Sequence, residues 1–239
     1  MPTNALTNQR VAIFEDDATN RDRWTSMVNL CGGTPLPVAD RAPSLKNLGT
    51  FFKTKKITML MCDHHLFERG DYAGYYGAEA VAASYRSGIG GILVTAFERD
   101  DAELSLRKFR RWIPALINSP KLTLNNLGAA LLQADREVRQ QAPTRERVPH
   151  RTIITVRRIE KRAAHKIVKV MMSQWNAAVE VGFPLEMVPE KIRPAVAPGT
   201  LLIAQVNVEA ARAEDLYFDQ FELPENDVLD KAKALFGRP

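Results

Sequence analysis

Residues 59–66 read MLMCDHHL, and this stretch decides the fold of the first half of the 239-residue chain. Four consecutive apolar residues precede Asp63, so the run has the length of a buried strand and ends in a charge. Continuous apolar strands are typical of a parallel sheet that helices cover on both faces. In such folds ligands bind outside the carboxyl ends of the strands, where Asp63 is expected.

Further apolar runs accompany this strand, and helical patterns separate them. The predicted strands are Val11–Glu15, Thr34–Val38, Ile57–Asp63, Gly91–Thr95 and Ile113–Ile117. Apolar residues after the last strand recur at steps of three and four, which predicts a helix with one apolar face: Leu124, Leu127, Leu131, Ala134 and Val138. Five β-α repeats predict an α/β domain with a doubly wound parallel sheet over residues 1–141.

The second half of the chain has a different pattern. Residues 142–150 are polar, hold two prolines and predict a linker. Five short strands are predicted within residues 151–239, at Ile153–Ile159, Lys166–Met172, Ala178–Phe183, Leu201–Val208 and Leu216–Leu223. A short helix is predicted over Asn226–Gly237. This spacing indicates a small mainly-β barrel or sandwich.

Composition and charge exclude several classes of protein. Apolar residues make up 45% of the chain, which is enough for a folded core, but no apolar run approaches the roughly 18 residues of a membrane span. Cys31 and Cys62 lie in separate predicted elements, which suits a reduced compartment. We therefore expect a cytoplasmic protein without a membrane partner.

The net charge of +5 is distributed unevenly in the second half. Basic residues concentrate in Arg145–Lys169, and acidic residues concentrate in Glu209–Asp230. A basic stretch is usually a solvated surface. The alternative is an anionic partner, which could be a nucleic acid or the acidic stretch of the chain itself.

Polar side chains follow three of the predicted parallel strands. Glu15, Asp16 and Asp17 end the first strand, Asp63 ends the third and Thr95 ends the fourth. Carboxylates that meet at one edge repel each other, and Mg²⁺, which prefers oxygen ligands, would relieve that repulsion. Asp63 could then act as a nucleophile toward a phosphoryl donor, while Thr95 offers a hydroxyl to a phosphate oxygen.

Two other interpretations apply to the same residues. Asp16 or Asp17 could cap the helix that follows, because Asp is a favoured N-cap residue. Cys62, His64 and His65 could join Asp63 as zinc ligands. Adjacent strand residues point to opposite faces, however, so these side chains would not easily converge on one ion.

Three motifs resemble strands of the response-regulator receiver family: VAIFEDD (residues 11–17), MLMCDHHL and ILVTAF (residues 92–97). The similarity covers about residues 9–141. It implies a flavodoxin-like sheet of strand order 2-1-3-4-5. It also implies that Asp63 is the phospho-acceptor and that Thr95 is the switch hydroxyl. Mg²⁺ would be held by Glu15, Asp16, Asp63 and the backbone carbonyl of His65.

The chain departs from the family pattern after the fifth strand. The family carries a Lys directly before a Pro, whereas this chain has Ser119-Pro120 followed by Lys121. Our hypothesis is that Lys121 supplies the missing cation from a displaced position. The family's aromatic switch position corresponds to Leu116, and the loop after Asp63 is longer than usual.

The resemblance implies a phospho-switch in a two-component phosphorelay, with a histidine kinase or phosphotransfer protein as partner. The β-rich domain would be an effector or adaptor, and a homodimer could form through the last receiver helix. We expect no enzymatic activity from the first domain, while the second domain leaves an unrecognised activity open. The alternative is a nucleic-acid-binding regulator that uses Arg145–Lys169 and keeps a degenerate receiver as a dimerisation scaffold.

Overall fold

The structure, a computed structural model, describes residues 5–66, 71–96 and 103–225. The chain forms two compact units, of which the first comprises residues 1–98 and 112–144 and the second comprises residues 99–111 and 145–239. The helix predicted over Asn226–Gly237 lies outside the described residues. In the ranges that the structure describes, no helix is long and apolar enough to cross a membrane.

The first unit contains a five-stranded parallel sheet of order β2-β1-β3-β4-β5. Its strands are β1 (Arg10–Phe14), β2 (Thr34–Val38), β3 (Met59–Asp63), β4 (Gly90–Thr95) and β5 (Ala115–Asn118). The predicted fold class and strand order are therefore confirmed. The strand register places Asp63 beside Val94, and it places Thr95 beside Asn118. Polar residues of three neighbouring strands thus share the carboxyl edge.

The described residues of this unit also form four α-helices: α1 (Ala18–Leu30), α2 (Leu48–Thr54), α3 (Gly77–Arg86) and α4 (Leu124–Gln140). The Asp17 side chain accepts a hydrogen bond from the Asn20 amide and caps α1. The central residues of the predicted apolar stripe of α4, which are Leu127, Leu131 and Ala134, are fully buried. They form one core with residues of α1 and β1, so the stripe serves mainly to pack this helix.

The second unit contains a five-stranded antiparallel sheet of order β10-β9-β6-β7-β8. Its strands are β6 (His150–Arg162), β7 (His165–Met172), β8 (Asn176–Pro184), β9 (Leu201–Val206) and β10 (Phe218–Glu222). The mainly-β prediction for this half is confirmed. Strand β6 is longer than predicted because its first half pairs with β9 and its second half pairs with β7.

Aromatic residues join the two edge strands of this sheet. The ring of Phe183 in β8 lies 4.9 Å from that of Phe218 and 5.0 Å from that of Phe221, both in β10, measured between centroids. These edge strands are at opposite ends of the strand order, so the sheet curls until its edges approach each other. This curvature encloses an apolar core that includes Ile154 and Val170.

The segment between β4 and β5 differs from the sequence-based expectation, which assigned it to the first domain. Residues 99–111 group with the second unit. The reason is visible at Arg107, which is buried and donates hydrogen bonds to the carbonyl oxygens of Gly182, Ala213 and Leu216. These partners are remote in sequence, so no local pattern indicates the pairing.

Candidate acidic phosphoryl and metal site

Three carboxylates converge at the carboxyl edge of the parallel sheet. One ligand atom from each of Glu15, Asp16 and Asp63 lies within 4.8 Å of the others. Among the residues that the structure describes, no other group of three His, Cys, Asp or Glu side chains is close enough to hold a metal ion. Cys62, His64 and His65 therefore do not build the zinc site that the sequence left open.

Burial and mutual repulsion perturb two of these carboxylates. Glu15 is only 3% exposed. Burial and the neighbouring Asp63 carboxylate raise the pKa of Glu15 to about 8. Burial also raises the pKa of Asp63 to about 6, although backbone hydrogen bonds from His65 and His64 oppose the shift. The His65 amide donates to Asp63 Oδ2 at 2.7 Å. Close carboxylates that resist ionisation are a donor set that suits a divalent cation with oxygen ligands.

The turn between β1 and α1 assigns different roles to its acidic residues. Asp17 is the helix cap, and its own amide donates to Glu15 Oε1 at 3.0 Å. Asp16 instead belongs to the carboxylate cluster. The Arg21 guanidinium donates to the carbonyl oxygen of Glu15 at 2.8 Å, which fixes the path of this turn. The capping interpretation is thus right for Asp17.

Gly77 is a site residue that sequence reasoning missed. It begins α3, and its amide donates to the carbonyl oxygen of His64 at 2.9 Å. A Cβ atom at this position would overlap the carbonyl group of Asp63. Only glycine therefore lets α3 begin against the strand that carries Asp63. The sequence gives no signal for this, because the loop also contains other glycines.

Two residues that pair at the carboxyl edge of the sheet, Thr95 and Asn118, carry buried polar atoms. Thr95 is fully buried, and its Oγ1 has no hydrogen-bond partner among the described residues. Asn118, which pairs with Thr95 across β4 and β5, has a buried Oδ1 that likewise has no partner among them. An unsatisfied buried polar atom costs stability, so both positions are suited to a polar ligand. Sequence reasoning identified Thr95 and missed Asn118.

Lys121 is exposed to solvent, unlike the buried Glu15 of the carboxylate cluster. It ends a short 3₁₀ turn, Ser119–Lys121. Its carbonyl oxygen accepts a hydrogen bond from the Asn126 side chain at 2.7 Å. No ion pair joins the Lys121 ammonium to another described residue, and the displaced-cation hypothesis stays a prediction. The same is true of the metal-ligand role predicted for the His65 carbonyl.

The long loop after Asp63 is anchored by tyrosines. Tyr72 donates from its hydroxyl to the carbonyl oxygen of Val38 at 2.8 Å, and Tyr75 donates to that of Pro43 at 2.7 Å. Both phenols are buried, and burial raises their pKa. The described part of the loop is therefore tied to the last residue of β2 and to the segment that follows it. The sequence indicated the length of the loop but not these anchors.

Comparison with solved structures returns receiver domains over the N-terminal half of the chain. A response regulator receiver domain protein from Clostridium thermocellum is 12% identical, with 56% of this chain and 99% of that chain covered at a TM-score of 0.42. The receiver domain of the TMAO respiratory system response regulator TorR is 21% identical, with 54% and 98% covered at a TM-score of 0.39.

A signal receiver domain of an HD domain-containing protein from Pseudomonas fluorescens Pf-5 is 13% identical, with 56% and 90% covered at a TM-score of 0.42. No protein-family model and no curated protein matches the chain. The fold assignment rests on the strand order and register described above.

Proposed function

We propose that the chain is a response-regulator-like signalling protein in which Asp63 accepts a phosphoryl group. The observation that carries this proposal is the convergence of Glu15, Asp16 and Asp63 at the carboxyl edge of a 2-1-3-4-5 sheet. A histidine kinase or phosphotransfer protein would be the donor. The setting of such a phosphorelay is the cytoplasm, and the second unit would be the effector or adaptor rather than an enzyme.

Phosphoryl transfer requires a nucleophile and a group that stabilises the negative charge of the transferred phosphoryl group. A carboxylate oxygen of Asp63 attacks the phosphorus atom, the bond between phosphorus and the donor breaks, and the donor leaves with the electron pair. Asp63 becomes an acyl phosphate. The buried Thr95 hydroxyl would donate a hydrogen bond to a phosphoryl oxygen, which would satisfy an atom that has no partner among the described residues.

Mg²⁺ fits the donor set of this site. Glu15, Asp16 and Asp63 would hold it, together with the backbone carbonyl of His65. When bound, the cation would neutralise the carboxylates and the incoming phosphoryl group. The raised pKa values of Glu15 and Asp63 support this assignment, because a bound cation would offset the cost of ionising these buried, neighbouring carboxylates.

Phosphorylation tests the proposal directly. Wild-type protein with Mg²⁺ and a small phosphodonor such as acetyl phosphate should show a retarded band on a phosphate-affinity gel, and Asp63→Asn should not. Asp71→Asn is the matched control, because Asp71 is exposed and lies outside the carboxylate cluster. Equal modification of wild type and Asp63→Asn would refute the assignment of the acceptor. No modification of either would favour the degenerate scaffold.

The displaced-cation hypothesis has its own variants. If Lys121 pairs with the phosphoryl group, Lys121→Ala should slow modification, and adding Ser119→Lys should restore it, because a charge-assisted hydrogen bond is lost and then replaced. An unchanged rate in Lys121→Ala would show that the pocket works without this cation.

A homodimer through α4 is a separate expectation, although the apolar stripe of this helix is largely in the core. Light scattering on the same samples measures the oligomeric state.

Nucleic-acid binding through Arg145–Lys169 is the second candidate function. Three exposed cations in this stretch, Arg157, Lys161 and Lys166, make no ion pair with another described residue. Others are neutralised within the unit, since Arg145 pairs with Glu209 and Arg151 pairs with Glu222. These ion pairs favour the chain's own acidic stretch as the partner of the basic one.

Salt-dependent binding separates the two uses of the basic stretch. A nucleic-acid interface would bind labelled DNA or RNA with an affinity that falls steeply as salt rises. A triple replacement of Arg157, Lys161 and Lys166 by Gln would then weaken binding and reduce the salt slope. Absence of binding by the full chain at low salt would leave the adaptor function as the better assignment.

A further inference from the structure

The segment between β4 and β5 links the candidate site to the second unit through the chain itself. Strand β4 ends at Thr95, and seven residues, 96–102, separate it from Glu103. Residues 99–111 belong to the second unit, and the chain returns to the first unit at Trp112, shortly before β5. Both strands that flank this excursion therefore carry residues of the candidate site, Thr95 and Asn118.

Glu103 fixes the start of the described segment inside the second unit. Its residue is 5% exposed, and each of its carboxylate oxygens lies 2.6 Å from Nζ of Lys169, a residue of β7 that is 1% exposed. A second cation, Arg162 of β6, contacts the same carboxylate at 2.9 Å. Gly182 of β8 makes room for it, since a Cβ there would lie 2.7 Å from the carboxyl carbon.

Arg107 and Arg110 continue the attachment at steps of four and three residues. The Arg107 guanidinium bridges the edge strand β8, at Gly182, to the carbonyl oxygens of Ala213 and Leu216, which precede β10. Arg110 pairs with Asp215 at 3.0 Å. Glu103 therefore holds the segment against β6 and β7, while Arg107 and Arg110 hold it at the seam between β8 and the residues that precede β10.

Removal of the segment would leave charged groups buried without partners. Lys169 would lose the carboxylate that compensates its burial, and three carbonyl oxygens would lose a donor. An unpaired buried charge is strongly unfavourable, so partial withdrawal of the segment is disfavoured relative to the fully seated arrangement. A segment whose partial withdrawal leaves buried charges unpaired is expected to switch between a seated and a released arrangement rather than to deform gradually.

We propose that residues 103–111 couple the Asp63 pocket to the second unit, so that occupancy of the pocket changes how firmly this segment is seated in the seam between β8 and β10. The proposal rests on the phospho-switch function given above. A change at the ends of β4 and β5 reaches Glu103 and Arg110 through the chain. Because the coupling free energy is the same in both directions, a change at the seam should also affect the ends of β4 and β5.

Hydrogen exchange of the full chain, resolved by mass spectrometry, tests the coupling without any pocket ligand. Lys169→Met removes the buried cation, while Lys166→Met makes the same chemical change at an exposed position of the same strand. We expect Lys169→Met to speed exchange severalfold in β7 and β8 and also at the ends of β4 and β5. Lys166→Met should leave all four strands as in the wild type.

A second variant keeps this test decisive. If Lys169→Met does not fold, Glu103→Gln weakens the same ion pair without changing the shape of the side chain. Faster exchange in β7 and β8 with unchanged exchange in β4 and β5 overturns the coupling. Faster exchange in all four strands supports it.

The complementary measurement starts from the pocket. Mg²⁺ with beryllofluoride should change exchange at residues 165–184 in the wild type and not in Asp63→Asn. Protection at the pocket without any change at residues 165–184 overturns the coupling. If the probe does not protect the pocket at all, the proposed phospho-acceptor function fails, and the substitutions at Lys169 and Glu103 decide the coupling on their own.

Discussion

The two units complete their cores in different ways. In the first, strands and helices alternate along the chain, and each element contributes its own short apolar run or stripe to the core. In the second, an antiparallel sheet curls on itself, and the seam between its edges is filled by residues 103–111 from between two strands of the other unit. A local pattern can reveal the first kind of core, but it cannot reveal a segment contributed from afar.

The largest expected change in stability is that of Arg107→Met, which affects the second unit. Loss of the guanidinium leaves carbonyl oxygens at Gly182, Ala213 and Leu216 without their donor, and we expect the second unit to lose about 3–5 kcal/mol of unfolding free energy. Hydrogen exchange of β7 amides measures this loss. Lys108→Met, at the half-buried neighbouring position, is the control. Equal stability of the two variants would show that the segment is not needed to close the sheet.

Gly77→Ala should destabilise the first unit, by somewhat less than Arg107→Met destabilises the second. The added Cβ overlaps the carbonyl group of Asp63, so α3 must move away from β3, at an expected cost of about 3 kcal/mol. Weaker Mg²⁺ binding should accompany this cost in calorimetric titrations. Gly74→Ala adds the same methyl group where nothing lies within 4 Å, and it should leave both quantities unchanged.

Acidic pH should stabilise the first unit when Mg²⁺ is absent. The pKa of Glu15 is raised from 4.5 to about 8 in the folded protein, so this group's contribution to stability is complete below 4.5 and is lost as the pH rises through 8. At about 1.4 kcal/mol per pH unit for one proton, stability should fall by roughly 2 kcal/mol between pH 6 and 8.

Urea unfolding at several pH values measures this slope. Glu15→Gln should flatten it, and saturating Mg²⁺ should offset the loss near pH 8 because the cation binds the deprotonated carboxylates. Stability that rises with pH in the metal-free protein would contradict the charge balance described for Glu15 and Asp63.

The smallest effect on stability is expected at Thr95. Because Thr95 Oγ1 has no hydrogen-bond partner among the described residues, Thr95→Val should leave unfolding free energy unchanged or raise it by about 1 kcal/mol. The same variant should bind beryllofluoride more weakly, whereas Thr95→Ser should retain binding. A clear loss of stability in Thr95→Val would indicate a structural hydroxyl instead of one reserved for a ligand.

Much of the first unit could be predicted from sequence because its signals are local. Each parallel strand is a short apolar run, and the residue after the run lies at the carboxyl edge, which is how Glu15, Asp16, Asp63 and Thr95 were found. Gly77 and Asn118 were missed for a physical reason. Their importance depends on what approaches them across the fold, and neither residue type differs from ordinary loop or strand-end residues.

Sequence alone determined the class of both units, the strand order implied by the receiver resemblance and the residue types of the acidic site. Only tertiary structure decided that Asp17 caps a helix while Asp16 joins the cluster, and that Glu103 and Arg107 belong to the second unit. The reason is that periodicity and strand ends are encoded by neighbours in the chain. The partner of a buried charge, such as Lys169 for Glu103, is chosen by three-dimensional proximity between residues far apart in sequence.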